Sequence, residues 1–250
     1  MNTVLALVIL LRQNNLKKDT TYMIANYILE NINEMENISI KQLSEDCFVS
    51  TTSVIKFCSL LGFNGYTDFK RHLLTSFQTR KMQLVEKHKN LKIEDLLNKV
   101  KEFSIDFNSE ECMKSVHELV DLIFENKKIH FYGAVFPMNL VQSFVEDMAV
   151  MDVPVFVYQI PYGKIEIKSN EGINIIVTLS GRYIETHQND YRIMCEVNNN
   201  TVLISQERKN IGNVLMNIVL PQTISSDYDD IVLLLMLDII KLEYYKRLKN

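Results

Sequence analysis

Residues 38–71 read ISIKQLSEDCFVSTTSVIKFCSLLGFNGYTDFKR and contain two short amphipathic patterns joined by a turn. Ser39, with Gln42 three residues later, is typical of a helix start, where a side-chain hydroxyl accepts a hydrogen bond from the first turn. Ser50 is placed to cap a second helix, and Gly62 is placed to end it. The apolar residues at helical spacing are Ile40, Leu43 and Cys47, then Val54, Phe57, Cys58 and Leu61. The stretch therefore predicts a helix-turn-helix.

The second of these helices carries polar residues that suit DNA. In a helix-turn-helix, the second helix enters the major groove by its N-terminal residues. Hydroxyls and ammonium groups there can contact base edges or phosphates. The candidate contact residues are Ser50, Thr51, Thr52, Ser53, Lys56 and Ser59, followed by Lys70 and Arg71 in the next helix. An ordinary helical hairpin in a protein core gives the same pattern, so the pattern alone leaves both interpretations open.

The charge distribution favours a local nucleic-acid surface in an otherwise acidic chain. The net charge is −4, but residues 1–81 hold nine basic against seven acidic residues. Residues 50–81 hold five basic residues and one acid. Such clustering supports phosphate contacts, whereas the acidic remainder discourages non-specific binding. A solvated basic helix face is the alternative.

The cysteines, the histidines and the first eleven residues argue against a metalloprotein and a membrane protein. The four cysteines and five histidines are scattered without the spacing of metal ligands. We therefore expect no metal site, no cofactor and no catalytic residues. Residues 1–11 are apolar but too short to span a bilayer, and no basic segment precedes them. The expected localisation is cytoplasmic.

The second half of the chain predicts an α/β domain. Short apolar stretches at 128–133, 153–158, 173–179, 201–205 and 218–220 read as strands, with helical patterns at 138–148, 182–197 and 224–248 between and after them. Strands alternating with helices predict a parallel sheet flanked by helices. The expected division is an all-α domain at 1–77, a helical linker at 78–108 and the α/β domain at 109–250.

Two loops of that sheet are candidate ligand sites, because ligands bind beyond the carboxyl ends of parallel strands. Residues 133–137 follow the first strand and begin with Gly133. Thr178, Ser180, Gly181 and Arg182 follow the third, and combine hydroxyls, a glycine that allows close backbone approach and a cation. They predict an anion cradle, although hydroxyl-glycine turns are also ordinary helix caps.

With both halves placed, the chain resembles the RpiR-type bacterial transcription regulators, which join an N-terminal helix-turn-helix to a sugar-isomerase (SIS) domain. The resemblance lies in residues 24–31, in 39–43, and from Val49-Ser50 through Lys56-Phe57-Cys58 to Leu61-Gly62-Phe63, Tyr66 and Phe69-Lys70. It implies operator binding as a homodimer or higher oligomer, and a sugar-phosphate effector in the SIS domain. Thr178-Leu-Ser-Gly181 is similar to the family's Ser-x-Ser-Gly phosphate loop, with Thr for the first Ser.

The other SIS loop departs from the family. Val135 stands where a second glycine is usual, and Phe136-Pro137 where hydroxyls are usual. This bulky pair should narrow the pocket and remove phosphate donors. Two alternatives remain open: a regulator whose SIS-like domain is a ligand-free dimerisation scaffold, with residues 231–240 as the dimer face, and a phosphosugar isomerase using Glu185 or His187 as its base.

Overall fold

The computed structural model describes residues 3–15, 17–159, 171–206 and 214–249. Contacts divide the chain into two units. The first comprises Met1–Glu86 with Val145–Pro154, and the second comprises Lys87–Phe144 with Val155–Asn250. The expected boundary near residue 77 lies inside a helix that runs unbroken from Tyr66 to Asn90.

The first unit is helical. Its helices are α1 (Thr3–Asn14), α2 (Thr20–Glu30), α3 (Ile40–Asp46), α4 (Thr51–Leu60) and α5 (Tyr66–Asn90), the last of which enters the second unit at Lys87. Ser39 Oγ accepts the Gln42 N–H at 3.1 Å, as the sequence predicts for the start of α3. The Gln42 side-chain amide donates to Asp46 Oδ1 at 2.7 Å.

The core of the first unit joins all of these helices. Its fully buried side chains include Val8, Ile9, Ile24, Ile28, Leu43, Val54, Cys58, Phe69 and Leu73. Phe57 and Phe69 meet edge to face with ring centroids 5.7 Å apart. The apolar opening segment is therefore a core helix of this domain, held also by a hydrogen bond of 3.2 Å from the Leu5 N–H to the buried Ser76 hydroxyl.

The second unit contains a five-stranded sheet with helices before, between and after its strands. In chain order the elements are α6 (Ile93–Glu102), α7 (Ser109–Asn126), β1 (Ile129–Gly133), α8 (Val135–Leu140), α9 (Gln142–Val150), β2 (Val155–Gln159), β3 (Ile173–Thr178), α10 (Arg182–Thr186), α11 (Gln188–Val197), β4 (Thr201–Ser205), β5 (Met216–Val219) and, after a 3₁₀ turn at Ser226–Tyr228, α12 (Asp229–Lys249). Helix α9 contributes its residues from Val145 onward to the first unit.

The sheet order is β2-β1-β3-β4-β5, and every pairing is parallel. Strands β1, β3 and β4 are buried along their whole length, as expected for a parallel sheet covered on both faces. The predicted fold class is confirmed: an all-α region followed by a parallel α/β domain. The reversal of strand order places a crevice between the carboxyl ends of β1 and β3.

Two helices that the sequence presents as single are each divided. The pattern at 138–148 is split at Val141 between α8 and α9, and the pattern at 182–197 is split at His187 between α10 and α11. Ile184 before the second break and Tyr191 after it are both buried in one cluster with Tyr132. The break lets both short helices pack on the same region of the sheet.

The apolar stretch 231–240 is mainly core of this chain. Val232, Leu233, Met236, Leu237, Ile239 and Ile240 are buried. Ile231 and Leu234 are 40% and 39% exposed. Burial within the monomer therefore accounts for most of the hydrophobicity that suggested a dimer face. No helix in the described ranges is long and apolar enough to cross a membrane.

Candidate functional site

Helix α4 separates a buried face from an exposed polar face. Its buried residues are Val54, Phe57 and Cys58. The exposed set contains Ser50, Thr51, Thr52, Lys56 and Ser59, and Ser53 is half-buried. Ser50 Oγ accepts the Ser53 N–H at 3.1 Å and lies 2.9 Å from the Ser53 hydroxyl. The predicted contact residues therefore share the solvent-facing side of one helix, and its first turn is capped from within the chain.

The turn between α3 and α4 is held by main-chain hydrogen bonds. The Phe48 N–H donates to Glu45 O at 3.1 Å, and the Val49 N–H donates to Ser44 O at 2.9 Å. Burial raises the pKa of the Cys47 and Cys58 thiols to about 11, so both stay protonated at neutral pH. These cysteines act as small core side chains, as predicted.

Lys70 and Arg71 at the start of α5 have partners within the chain. The Lys70 ammonium donates to Glu36 O at 2.8 Å and to Ile38 O at 3.1 Å. The Tyr66 hydroxyl donates to the same Ile38 carbonyl at 2.8 Å. Arg71 pairs with Asp68 at 2.9 Å but remains mostly exposed. Lys70 therefore fastens the segment before α3 to α5, whereas Arg71 stays accessible to a phosphate.

In the second unit, the two predicted loops come together at the carboxyl ends of β1 and β3. A cleft of about 780 Å³ opens there, lined by Ala134, Phe136, Pro137, Val177, Thr178, Leu179, Ser180, Thr186, Ser226, Asp227, Asp229 and Asp230. Thr178 is buried and Ser180 is exposed. Gly181 has φ of 72° and forms the N-terminal cap of α10, which explains the glycine there.

Gly133 acts through packing. A Cβ at this position would lie 2.8 Å from the Val177 carbonyl oxygen and 2.9 Å from Met138 Cε. Since real Cβ atoms do not approach backbone oxygens so closely, glycine lets β1 and β3 meet beside the cleft. Phe136, 57% exposed, and Pro137 also line the cleft, so the bulky pair stands in the wall as expected. The side chains of Val135 and Arg182 lie outside the described residues.

The opposite wall of the cleft is acidic. Asp227 belongs to the 3₁₀ turn, and Asp229 and Asp230 open α12. Asp229 Oδ1 accepts hydrogen bonds from Gln206 Nε2 at 2.6 Å and from the Thr223 hydroxyl at 2.5 Å. Burial, together with the neighbouring Asp229, raises the pKa of Asp230. Carboxylates here suit the hydroxyl or ammonium donors of a ligand and repel its phosphate, which favours the Thr178–Gly181 side for an anion.

Comparison with known sequences identifies a domain within the first unit. Residues 5–80 match the profile described as the helix-turn-helix domain of the rpiR family. These residues contain most of α1, all of α2 to α4 with the exposed face of α4, and most of α5. The N-terminal part of this chain is an rpiR-family helix-turn-helix domain.

One curated protein of regulatory type is similar to part of this chain. An uncharacterized HTH-type transcriptional regulator from Caldanaerobacter subterraneus subsp. tengcongensis is 29% identical over 119 residues. The match spans 44% of this chain and 41% of that relative.

Two solved structures resemble larger parts of the chain. A Methanococcus jannaschii protein with an inferred 3-hexulose-6-phosphate isomerase function is 20% identical, with a TM-score of 0.47 over 63% of this chain and 89% of that one. The Vibrio vulnificus NanR protein, complexed with ManNAc-6P, is 16% identical, with a TM-score of 0.42 over 97% of this chain and 94% of that one.

The residues considered for isomerase chemistry do not line the cleft. Glu185 is exposed on α10, and His187 is half-buried, with Nδ1 2.8 Å from the Thr186 hydroxyl. Of this segment, Thr186 is the cleft residue.

The sequence did not predict the acidic cleft wall, which Asp227, Asp229 and Asp230 form about 50 residues after Thr178. In the sequence, these acids stand in a run of hydroxyl and acidic residues before an apolar helix, and such a run is typical of an ordinary helix start.

Proposed function

We propose that this chain is a DNA-binding transcription regulator of carbohydrate or amino-sugar genes. The observation that carries the proposal is the exposed face of α4 in an rpiR-family domain, where Thr51, Thr52, Lys56 and Ser59 are all accessible. Hydroxyl and ammonium groups at the N-terminal part of such a helix suit base edges and phosphates. A regulator of bacterial operators works in the cytoplasm, and this localisation is part of the proposal.

Binding to duplex DNA tests the first part. The full chain should select a sequence from a random duplex pool, and its affinity should fall steeply as salt rises. A Thr52→Ala/Lys56→Ala double variant should lose this binding and keep its thermal stability. Lys114→Ala, which removes an exposed charge from α7 in the second unit, is the matched control and should bind normally. Retained binding in the double variant would disprove the assignment of α4.

We also propose that the cleft between β1 and β3 binds a sugar phosphate. Thr178 and Ser180 line the cleft with hydroxyls, and Gly181, the left-handed cap of α10, follows them in the chain. The carboxylates of Asp229 and Asp230 on the other wall can accept hydrogen bonds from sugar hydroxyls. The phosphate would sit on the first side and the sugar ring on the second.

Thermal stability with a panel of sugar phosphates, and with free sugars as controls, tests the effector. A ligand at 100 times its dissociation constant stabilises a protein by about 2.7 kcal/mol. The stabilisation should require the phosphate and should disappear in Ser180→Ala. No response to any phosphosugar would favour the alternative, a ligand-free scaffold. Turnover of a phosphosugar that is lost in Glu185→Gln would instead favour the other alternative, a phosphosugar isomerase.

Within the second unit, α12 runs from the cleft to the last turn of α5. Asp229 opens α12 at the cleft, and Asp238 lies about 13 Å farther along the same helix. Both carboxylate oxygens of Asp238 accept hydrogen bonds from the Lys87 ammonium, at 3.0 Å each. Lys87 belongs to the last turn of α5, the helix that begins in the rpiR-family domain at Tyr66. We propose that an effector alters operator affinity by shifting α12 against this end of α5.

A homodimer completes the proposal. One α4 reads one half-site, so a palindromic operator requires two chains. Light scattering of the purified chain should give twice the monomer mass of 29.2 kDa.

A further inference from the structure

Phe48, in the turn before α4, combines two features that do not help this chain to fold. Its side chain is 91% exposed, more than any other large apolar side chain in the described ranges. Its φ is 54°, in the left-handed region that glycine and asparagine adopt more readily than phenylalanine. An exposed ring buries little apolar surface, and a left-handed backbone conformation is unfavourable for phenylalanine.

The conformation at residue 48 is imposed by the turn. The N–H groups of Phe48 and Val49 donate to the carbonyls of Glu45 and Ser44, at 3.1 and 2.9 Å. Cys47, the preceding residue, is buried in the domain core. Position 48 is thus left-handed whichever residue stands there, and glycine or asparagine would satisfy it. The phenylalanine therefore needs a reason outside the fold.

The position of the turn points to DNA. Phe48 comes two residues before Ser50, the cap of α4, and the N-terminal end of this helix is the part that a helix-turn-helix inserts into the major groove. Ile55, one turn into α4, is also 47% exposed. The apolar feature of the major groove is the C5-methyl group of thymine, which phenylalanine side chains contact.

Other partners fit this ring less well. Glu45 and Asp46, which precede the turn, are exposed acids and would repel a phosphate. Ser50 and Thr51, which follow it, are exposed and polar. A single ring among polar neighbours does not form the broad apolar patch that a protein partner would cover. A base edge is the remaining surface of duplex DNA that matches an apolar side chain.

We propose that Phe48 is a specificity-determining residue of the DNA interface, which reads the methyl group of a thymine at the edge of each half-site. This inference rests on the proposed DNA-binding function. It predicts that the loss of the ring weakens binding by about tenfold, the scale of one mismatched base pair. It also predicts that the loss of the ring does not reduce the stability of the fold.

The test uses the full chain and a binding site selected by it from a random duplex pool. Fluorescence anisotropy compares this site with versions in which single thymines are replaced by deoxyuridine, which lacks the methyl group. The original chain should lose about tenfold in affinity at one thymine of each half-site. Phe48→Asn and Phe48→Gly should bind the site about tenfold more weakly and should not distinguish thymine from uracil there.

Leu60→Asn is the matched control, because Leu60 is a 64% exposed apolar residue at the other end of α4. It should leave affinity and methyl discrimination unchanged. The melting temperature of Phe48→Asn should equal or exceed that of the original chain, since asparagine tolerates the left-handed conformation.

The outcomes separate this inference from the proposed function. If the original chain selects no site, DNA binding itself fails and the role of Phe48 falls with it. If the site is bound but the Phe48 variants bind it equally well, or still discriminate thymine from uracil, this inference alone is overturned. A clear loss of stability in both variants would make Phe48 a structural residue and would also overturn it.

Discussion

Lys70→Met should destabilise the chain and should leave the salt dependence of DNA binding unchanged. The ammonium donates hydrogen bonds to Glu36 O at 2.8 Å and Ile38 O at 3.1 Å, which ties the segment before α3 to α5. Hydrogen bonds to charged groups contribute roughly 1.5–3 kcal/mol each. Because Lys70 is half-exposed, solvent replaces part of this interaction, and we expect a total loss of about 1–2 kcal/mol.

Urea denaturation followed by circular dichroism measures the loss directly. A thermal scan should show a decrease of roughly 2–8 °C, from about 2–4 °C per kcal/mol for a chain of this size. Lys56→Met is the matched control, since it removes the same charge from the exposed face of α4. This control should unfold like the original chain but bind DNA more weakly, with a salt slope smaller by about 0.9 if Lys56 contacts a phosphate.

The reasoning would be refuted by the reverse pattern. If Lys70→Met unfolds like the original chain while its salt slope decreases by about 0.9, then Lys70 contacts a phosphate in the complex. Its hydrogen bonds to the two carbonyls would then contribute nothing measurable to the free energy of unfolding.

Three further predictions concern the second unit. Gly133→Ala should lower the free energy of unfolding by about 1–3 kcal/mol, because the new Cβ would meet the Val177 carbonyl oxygen at 2.8 Å; unchanged urea denaturation would refute this. Asp238→Asn should cost about 3 kcal/mol at neutral pH, because the carboxylate lies 2.6 Å from the buried Lys241 ammonium. Burial alone would raise the pKa of Asp238, but Lys241 and Lys87 hold this pKa below its ordinary value. The stability that the ion pair contributes is therefore present above about pH 4 and is lost as the pH falls through the folded-state pKa. The difference between Asp238→Asn and the original chain should therefore shrink between pH 7 and pH 3, and a constant difference would contradict the assignment. Asn174→Leu should stabilise the chain by roughly 1–2 kcal/mol, since neither polar atom of this fully buried amide has a hydrogen-bond partner among the residues that the structure describes; a loss of stability in a calorimetric scan would mean that they are satisfied in solution.

The charges of the two cleft walls restrict the class of ligand that the proposed effector site would accept. Asp227, Asp229 and Asp230 face a cleft whose other side carries the Thr178 and Ser180 loop. A ligand that is anionic at one end and rich in donors at the other satisfies both sides. A sugar phosphate has this polarity, and an amino sugar phosphate adds an ammonium group for the carboxylates.

The helix-turn-helix could be predicted from sequence because its determinants are local. Ser39 and Ser50 both cap the helices they precede, and Gly62 has the left-handed φ of 86° expected of a residue that ends a helix. Caps and apolar periodicity act within three or four residues, so they can be read without a structure. The strands of the second unit were recognisable for the same reason, as short apolar segments between helical patterns.

Tertiary structure alone decided how distant segments meet. The strand order β2-β1-β3 brings the loop after Gly133 beside Thr178, and α12 adds the acids of the facing wall. The tertiary structure also places the Lys70 ammonium within hydrogen-bond distance of two carbonyls before α3. The sequence around Lys70 had instead suggested a contact with DNA. These outcomes depend on contacts between residues some 30 to 100 positions apart. Such contacts follow from packing of the whole chain, and no local pattern of charge or hydrophobicity records them.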